Sequence, residues 1–323
     1  MKASPTSRLN RKRTRKQDVL STVEAEVSSQ PALLRKPLQV ELLRAPPSSI
    51  FIGAGDSLAA CQIARRLSSI RHLAMDPYEL VADPGVAKGR KVYIVSASGR
   101  TVSNIMAAEA VKGIAQERIA VTASVRERLL DATDGAIFIP YKPVARIPGT
   151  ASFSLSLLTL LKLTNGDFRC RFSRAYSEAE RNFGKVMIST KGTTYFLGNG
   201  ATLPVCFYAA LKVHEFLGGQ ARCLPVEEFG HAPVFALGKG DTVNSFLAQD
   251  PLGFGKRLTT RLREKGFKAV ALSSWGSNLF EQVFYCVFLS QLAALTAAKS
   301  KGLSRPYFVG AREKLAISDY LIY

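Results

Sequence analysis

At 323 residues the chain exceeds one ordinary compact domain and suits two. Hydrophobic residues make up 47% of it and mean hydropathy is near zero, which excludes a wholly disordered chain and lets a sizeable core form. The net charge of +19 favours anionic partners, small or polymeric. No run of about 18 uncharged apolar residues stands out, and no apolar stretch follows Met1. A membrane span and a secretory leader are therefore not expected, and the cytoplasm is. Five scattered cysteines without a CxxC pair read as free thiols, several of them in the core.

Residues 1–17 form a basic tail, with Lys2, Arg8, Arg11, Lys12, Arg13, Arg15 and Lys16 and no acid, and are expected to be disordered. This tail is the one stretch suited to nucleic acid, because zinc-finger, RNP and basic-zipper patterns are all missing. A helix is predicted over 19–34, interrupted by Pro31. Strands follow at 49–52, 91–95, 118–122 and 136–139, alternating with helices at 57–68, from about 101 to 113, and at 150–163. A segment of low periodicity, 166–190, separates this from a second alternation: strands at 195–197, 243–247 and 269–272, and helices at 203–216, 253–265 and 278–301. Short apolar strands separated by helices imply parallel, doubly wound sheets, so the fold class is α/β. Phe51-Ile52-Gly53-Ala54-Gly55 and Phe196-Leu197-Gly198-Asn199-Gly200 match as an internal repeat. The last twenty residues, after Pro306, read as an irregular tail.

In such sheets ligands bind beyond the carboxyl ends of the strands. Three loops of the first half lie there, each opening a helix: Gly55-Asp56-Ser57, Ser96-Ala97-Ser98-Gly99-Arg100-Thr101 and Gly149-Thr150-Ala151-Ser152. Hydroxyls and backbone N–H groups at a helix N-terminus favour phosphate. The third glycine of a dinucleotide fingerprint is replaced by Leu58, and there is no Walker sequence. The densest set of proton-carrying groups is Lys212, His214 and Glu215, followed by His231 in what reads as a loop. Lys212 and Glu215 are three apart, on one helix face. HExxH is broken by Gly218, so no metal is expected, and no cofactor. His72 reads as structural.

These residues carry a resemblance. The SxSGxT loop, the Gly-rich first loop and the Gly-Thr-Ala-Ser helix start resemble the SIS (sugar isomerase) domain. From about Val23 on, the chain is similar to the family of tandem SIS domains that includes the isomerase part of glucosamine-6-phosphate synthase. Glu26 with Gln30-Pro31, the helix Thr202 to Glu215, and Glu228-Phe229-Gly230-His231-Ala232-Pro233 match its opening segment, its catalytic helix and a His-bearing loop. The resemblance implies two tandem, mainly parallel, flavodoxin-like domains, at 18–165 and at 191–323 with the C-terminal tail. It implies a phosphorylated sugar as substrate, held by Gly55, Ser57, Ser96, Ser98, Gly99, Thr101, Ala151 and Ser152. Glu215 would shuttle a proton between C1 and C2, Lys212 would lie near the sugar, and His231 would assist ring opening from a partner subunit, making a homodimer with shared sites. Isomerisation or deamination of a hexose 6-phosphate is implied, or binding without catalysis. The chain departs from the pattern at Arg100, where the family has an acid, at Ala97, where it has Gln, and at Tyr208, where it has a second Glu. A glutaminase domain is not among the residues, so no glutamine hydrolysis is expected, and Arg312 or Lys314 stands only loosely for the family's C-terminal lysine.

Overall fold

The computed structural model describes residues 18–36, 42–143 and 145–323, so the basic tail expected over 1–17 lies outside the described residues. In chain order the elements are α1 (Val19–Arg35), β1 (Ile50–Gly53), α2 (Asp56–Leu67), β2 (Leu73–Met75), α3 (Pro77–Ala82), β3 (Lys91–Val95), α4 (Val102–Ala110), β4 (Glu117–Thr122), α5 (Arg128–Asp131), β5 (Gly135–Phe138) and α6 (Ala151–Asn165). There follow α7 (Phe172–Asn182), β6 (Thr193–Gly198), α8 (Thr202–Leu217), β7 (Gln220–Pro225), α9 (Val226–His231), β8 (Thr242–Phe246), α10 (Phe254–Glu264), β9 (Lys268–Leu272), α11 (Leu279–Ser300), α12 (Tyr307–Gly310) and α13 (Arg312–Ile322).

One sheet runs β2-β1-β3-β4-β5 and the other β7-β6-β8-β9, and every neighbouring pair is parallel. The fold is α/β with two parallel sheets, as the alternation predicts. The first order is the flavodoxin-like one, whose direction reverses between β1 and β3 and opens a crevice there. The second sheet has the same first four positions.

Strand side chains alternate between faces, and this divides the core. Phe51 of β1 joins Tyr93 and Val95 of β3 in one cluster, whereas Ile50 and Ile52 face the other way, towards Val92, Ile94 and Leu80. In β6, Phe196 belongs to the first cluster, and Tyr195 and Leu197 to a third with Val226, Phe229 and Leu262. The first cluster also takes the buried faces of α1, α2, α6, α7, α8 and α11. The two sheets therefore share one helical layer, and groups far apart in sequence meet inside it. Cys61, Cys206 and Cys286 are buried there, and all five cysteines are free.

The structure corrects several expectations. β2 and β7 are additional strands at sheet edges. One is three residues long and the other mixes Gln220 and Arg222 with apolar residues, so neither carries the apolar run of a central strand. The connecting segment, in which the sequence suggests a helix over 176–186, contains α7, which starts earlier and buries Phe172, Ala175, Tyr176 and Ala179. α1 continues through Pro31. The stretch read as a loop around His231 is the short helix α9, and the irregular C-terminal tail is α12 and α13. α11 is, among the described residues, the one helix long and apolar enough to cross a membrane, and 78% of its apolar window is buried against the rest of the chain.

The start of α11 is anchored by Glu281. Its carboxylate accepts hydrogen bonds from Arg171 Nε (2.6 Å) and Nη2 (2.7 Å) and from the Ser277 N–H (2.8 Å). Arg171, then burial working against it, then the Ser277 N–H decide its pKa, which is pulled down from 4.5 to about 2. A depressed acid stabilises the fold above its unfolded pKa and loses that contribution as pH falls through the folded one. Glu281→Gln is expected to cost on the order of 1–2 kcal/mol at pH 7, because half-exposed Arg171 is partly screened. Urea melts should show the gap between variant and parent closing between about pH 4.5 and pH 2.

Candidate active site

The three loops that open α2, α4 and α6 come together at the carboxyl ends of β1, β3 and β4. They line a cavity of about 640 Å³ with Ser57, Ser96, Ser98, Thr101 and Ser152 in its wall. Gly55 precedes α2 with φ +56°, and Gly99 stands at φ +68° in the second loop. A Cβ on Gly99 would lie 3.0 Å from Glu127 Cβ and 3.2 Å from Thr122 Oγ1, so only glycine fits this turn. Ser96 Oγ accepts the Gly99 N–H at 3.1 Å and lies 3.3 Å from Thr101 Oγ1, which holds the loop in shape. The third loop contributes less than expected. The Ala151 N–H donates to Glu26 Oε1 at 2.9 Å, and Thr150 also donates to that carboxylate, so Ala151 faces inward and Ser152 alone reaches the cavity. Arg100 and Arg146 add positive charge to the wall.

Lys212 has 0% of its side chain exposed. An unpaired ammonium cannot be buried at acceptable cost, and here it is doubly paired. Nζ donates to Asp56 Oδ2 at 2.8 Å and to Glu215, and lies 3.3 Å from the Gly149 carbonyl oxygen. Burial lowers the affinity of Lys212 for its proton, and the charges of Asp56 and Glu215 together outweigh that, so it stays charged. Burial raises both carboxyls against the pull of Lys212, Glu215 to about 7. Glu215 keeps 32% of its side chain exposed and lines a second cavity of about 440 Å³, with His214, Arg146, Lys314 and Tyr323. The two cavities share Arg146, Ile147 and Tyr323 in their walls. One lysine thus bridges an acid at the loop cavity to an acid with a near-neutral pKa at its neighbour. Such a carboxyl can both take and return a proton at neutral pH.

Asp56 was visible in sequence only as an acid in the first turn of α2, where the helix dipole already accounts for it. Its partner is 156 residues away. Arg146 and the C-terminal helix are likewise reached only through the fold: Arg146 donates to Asp319 (2.9 Å from Nη1), and the Arg100 guanidinium sits 4.9 Å from the Tyr323 ring centroid. Of the two stand-ins for a C-terminal lysine, Lys314 lines the cavity of Glu215. His231 is 71% exposed, 3.9 Å from Glu227, and lines neither cavity of its own chain. His214 Nδ1 is engaged by the Gly219 carbonyl at 2.8 Å. His72 is buried against Phe51. No group of three His, Cys, Asp or Glu side chains placed to hold a metal occurs among the described residues. In the second sheet a backbone donor at the corresponding helix start is already engaged within the protein: the Ala201 N–H donates to Gln249.

In sequence the chain is 24% identical over 283 residues to a glutamine–fructose-6-phosphate aminotransferase (isomerizing) of Sulfolobus acidocaldarius, a match covering 79% of this chain and 48% of that protein. It is 25% identical over 243 residues to the enzyme of the same name from Pyrobaculum aerophilum, covering 64% and 40%. The chain thus spans half or less of the length of these curated relatives. In structure it is similar to glucosamine-6-phosphate deaminase of Thermotoga maritima, with a TM-score of 0.71, 20% identity, and coverage of 88% of this chain and 95% of that one. It is also similar to the C-terminal domain of glucosamine-fructose-6-phosphate aminotransferase of Francisella tularensis (0.69, 17%, covering 90% and 98%). Tagatose-6-phosphate ketose/aldose isomerase of Escherichia coli aligns with a TM-score of 0.66 at 18% identity, covering 89% and 92%. These likenesses establish the fold, the one shared with phosphosugar isomerases. No family model matches the chain.

Removing Lys212 strands two acids in a largely dry site. Lys212→Met is expected to cost about 3 kcal/mol at pH 8. Without the ammonium both folded carboxyl pKa values rise further above their unfolded values, a penalty that grows with pH. Chemical denaturation at pH 5 and pH 8 should therefore show the smaller loss at pH 5.

Proposed function

We propose that the chain is a phosphosugar enzyme that moves a proton between C1 and C2 of a hexose 6-phosphate or amino-hexose 6-phosphate. The outcome is aldose–ketose isomerisation, or deamination coupled to it. The observation that carries this reading is the Asp56–Lys212–Glu215 bridge, which ties a phosphate-suited cavity to a carboxyl with a pKa of about 7. In the proposed reaction Ser57, Ser96, Ser98, Thr101 and Ser152, with the N-termini of α2 and α4, hold the phosphate. In the aldose-to-ketose direction Glu215 removes the C2 proton of the open-chain sugar. The C2–H electron pair becomes the C1–C2 double bond of an enediol(ate) as the carbonyl electrons settle on O1; the O2 hydroxyl proton then passes to O1, the O2 electrons form the C2 carbonyl, and the double-bond pair takes the proton back from Glu215 at C1. Arg146 and Lys314 stand where charge on the oxygens needs stabilising. Lys212, with no exposed surface, acts through the two carboxylates and does not touch the sugar.

His231, outside both cavities of its own chain, enters this reading only as a ring-opening group lent to a second copy, so a homodimer with shared sites is part of the proposal. So is the division into units at 18–165 and 191–323 joined by 166–190, which the common strand order of the two sheets supports. A second reading, binding without turnover, draws on the Arg146–Asp319 and Arg100–Tyr323 contacts that place the chain's own C-terminus against the cavity.

The test is exchange with deuterated water of the C2 hydrogen of glucose 6-phosphate or glucosamine 6-phosphate, and of a C1 hydrogen of fructose 6-phosphate. Exchange should rise with pH through about 7 as Glu215 ionises, and Glu215→Gln should lower it by about 10²–10⁴-fold. Undiminished exchange in that variant sinks the mechanism. A phosphosugar that raises the melting midpoint of the parent with no exchange at all selects the second reading.

A further inference from the structure

Tyr208 stands one turn before Lys212 on α8 and is completely buried, so it touches no ligand. Its hydroxyl has two partners. Gln291 Nε2, from α11, donates to it at 2.9 Å, and it donates to the Gly149 carbonyl oxygen at 2.8 Å. The orientation follows from the partners: the Gln291 amide side that meets it is a donor, so the single phenolic proton goes to Gly149. Gln291 is itself fixed. Its Oε1 accepts from Gln30 Nε2 at 2.7 Å, and Gln30 Oε1 accepts from Ser154 Oγ at 2.6 Å. The ring stacks on Phe153 with centroids 3.8 Å apart and lies 4.8 Å from Lys212 Nζ.

This network ends at the candidate site. The Gly149 carbonyl also lies 3.3 Å from Lys212 Nζ, and a Cβ on Gly149 would run into the Asp56 carboxylate. The ammonium has three N–H donors for these three acceptors, and its bond to the carbonyl is the longest of the three. We infer that Tyr208, oriented by Gln291, is a positioning residue that takes the shorter bond to the Gly149 carbonyl and so keeps the Lys212 contact there long, with Lys212 held chiefly by Asp56 and Glu215. This assignment rests on the proposed reaction only for its consequence in turnover, since the contacts stand without it.

Tyr208→Phe keeps the ring and removes the hydroxyl. Lys212 is then drawn closer to the Gly149 carbonyl, which has lost its shorter bond, and away from Glu215, whose carboxyl should titrate higher by about one unit. The groups facing Glu215 are Lys212 and His214 on its own helix, Asp56 from α2, Arg146 from the loop before α6, and Tyr307, Lys314 and Tyr323 from the C-terminal segment. All are kept in the variant. The measurement is the ¹³C titration of carboxyl-labelled glutamate in the full chain, with the Glu215 signal identified by its loss in Glu215→Gln. Phe153→Leu serves as a control that loosens the same packing and keeps the hydroxyl. Gln291→Met, which frees the hydroxyl to turn, should move Glu215 in the same direction by less and takes the place of Tyr208→Phe if that protein does not fold. In C2-hydrogen exchange, Tyr208→Phe should lower kcat with KM little changed and shift the pH limb upward. An upward Glu215 shift in the hydroxyl variants and none in Phe153→Leu upholds the assignment. An unmoved titration, or equal shifts in all three, overturns it. A shift without any exchange in the parent protein refutes the proposed reaction and leaves the positioning role standing.

Discussion

A buried ammonium is the constraint around which this molecule is arranged. Lys212 has no water to solvate it, so its charge must be met by protein groups of opposite sign at hydrogen-bond distance. Asp56 and Glu215 meet it, and they come from different halves of the chain. Asp56 is carried by the first helix of the first sheet, and Glu215 by the first helix of the second. The pairing therefore holds only when α2 and α8 lie side by side in the shared helical layer. Stability and site geometry depend on the same three side chains, and the cost of separating them falls on both.

The charge count of this group shapes its chemistry. Two acids and one base leave an excess negative charge in a site with little water, and burial makes the excess costly. That cost raises both carboxyls, Glu215 to about 7. Glu215, part-exposed, is the member that can release or accept a proton without dismantling the Asp56–Lys212 pair. Lys212 is fully buried, while both carboxylates stay part-exposed at neighbouring cavities, Asp56 at 22% and Glu215 at 32% of the side chain. The tyrosine one turn away adds no charge to this balance.

The two sheets, alike in strand order, differ in what their first crossovers offer. At β1 the loop leads to serines and an open cavity. At β6 the N–H of Ala201 in the equivalent turn is taken up by Gln249, and the helix that follows supplies Lys212 and Glu215 from its far end. One half lines its cavity with loops and the other contributes side chains from the body of a helix. The C-terminal helix α13 completes the wall, held by Asp319 on Arg146 and Tyr323 over Arg100. It has no buried residue of its own, which is why its sequence reads as a tail.

The sequence by itself determined the fold class, most of the strands and helices, the three helix-opening loops and the Lys212–Glu215 spacing. Each of these is written locally, in apolar periodicity, in glycine at turns, and in positions three apart on a helix. It did not show β2, β7 or the C-terminal helices, because edge strands and surface helices need no continuous apolar run. It placed Ala151 among the binding groups, where the tertiary structure gives its N–H to Glu26, and it placed Lys212 beside the sugar, where the tertiary structure buries it. The partnership with Asp56 across 156 residues, the Gln30–Gln291–Tyr208 network and the near-neutral Glu215 were decided by packing alone. Pairing of buried charges and polar groups is fixed by which surfaces the core brings together. No spacing along the chain encodes that.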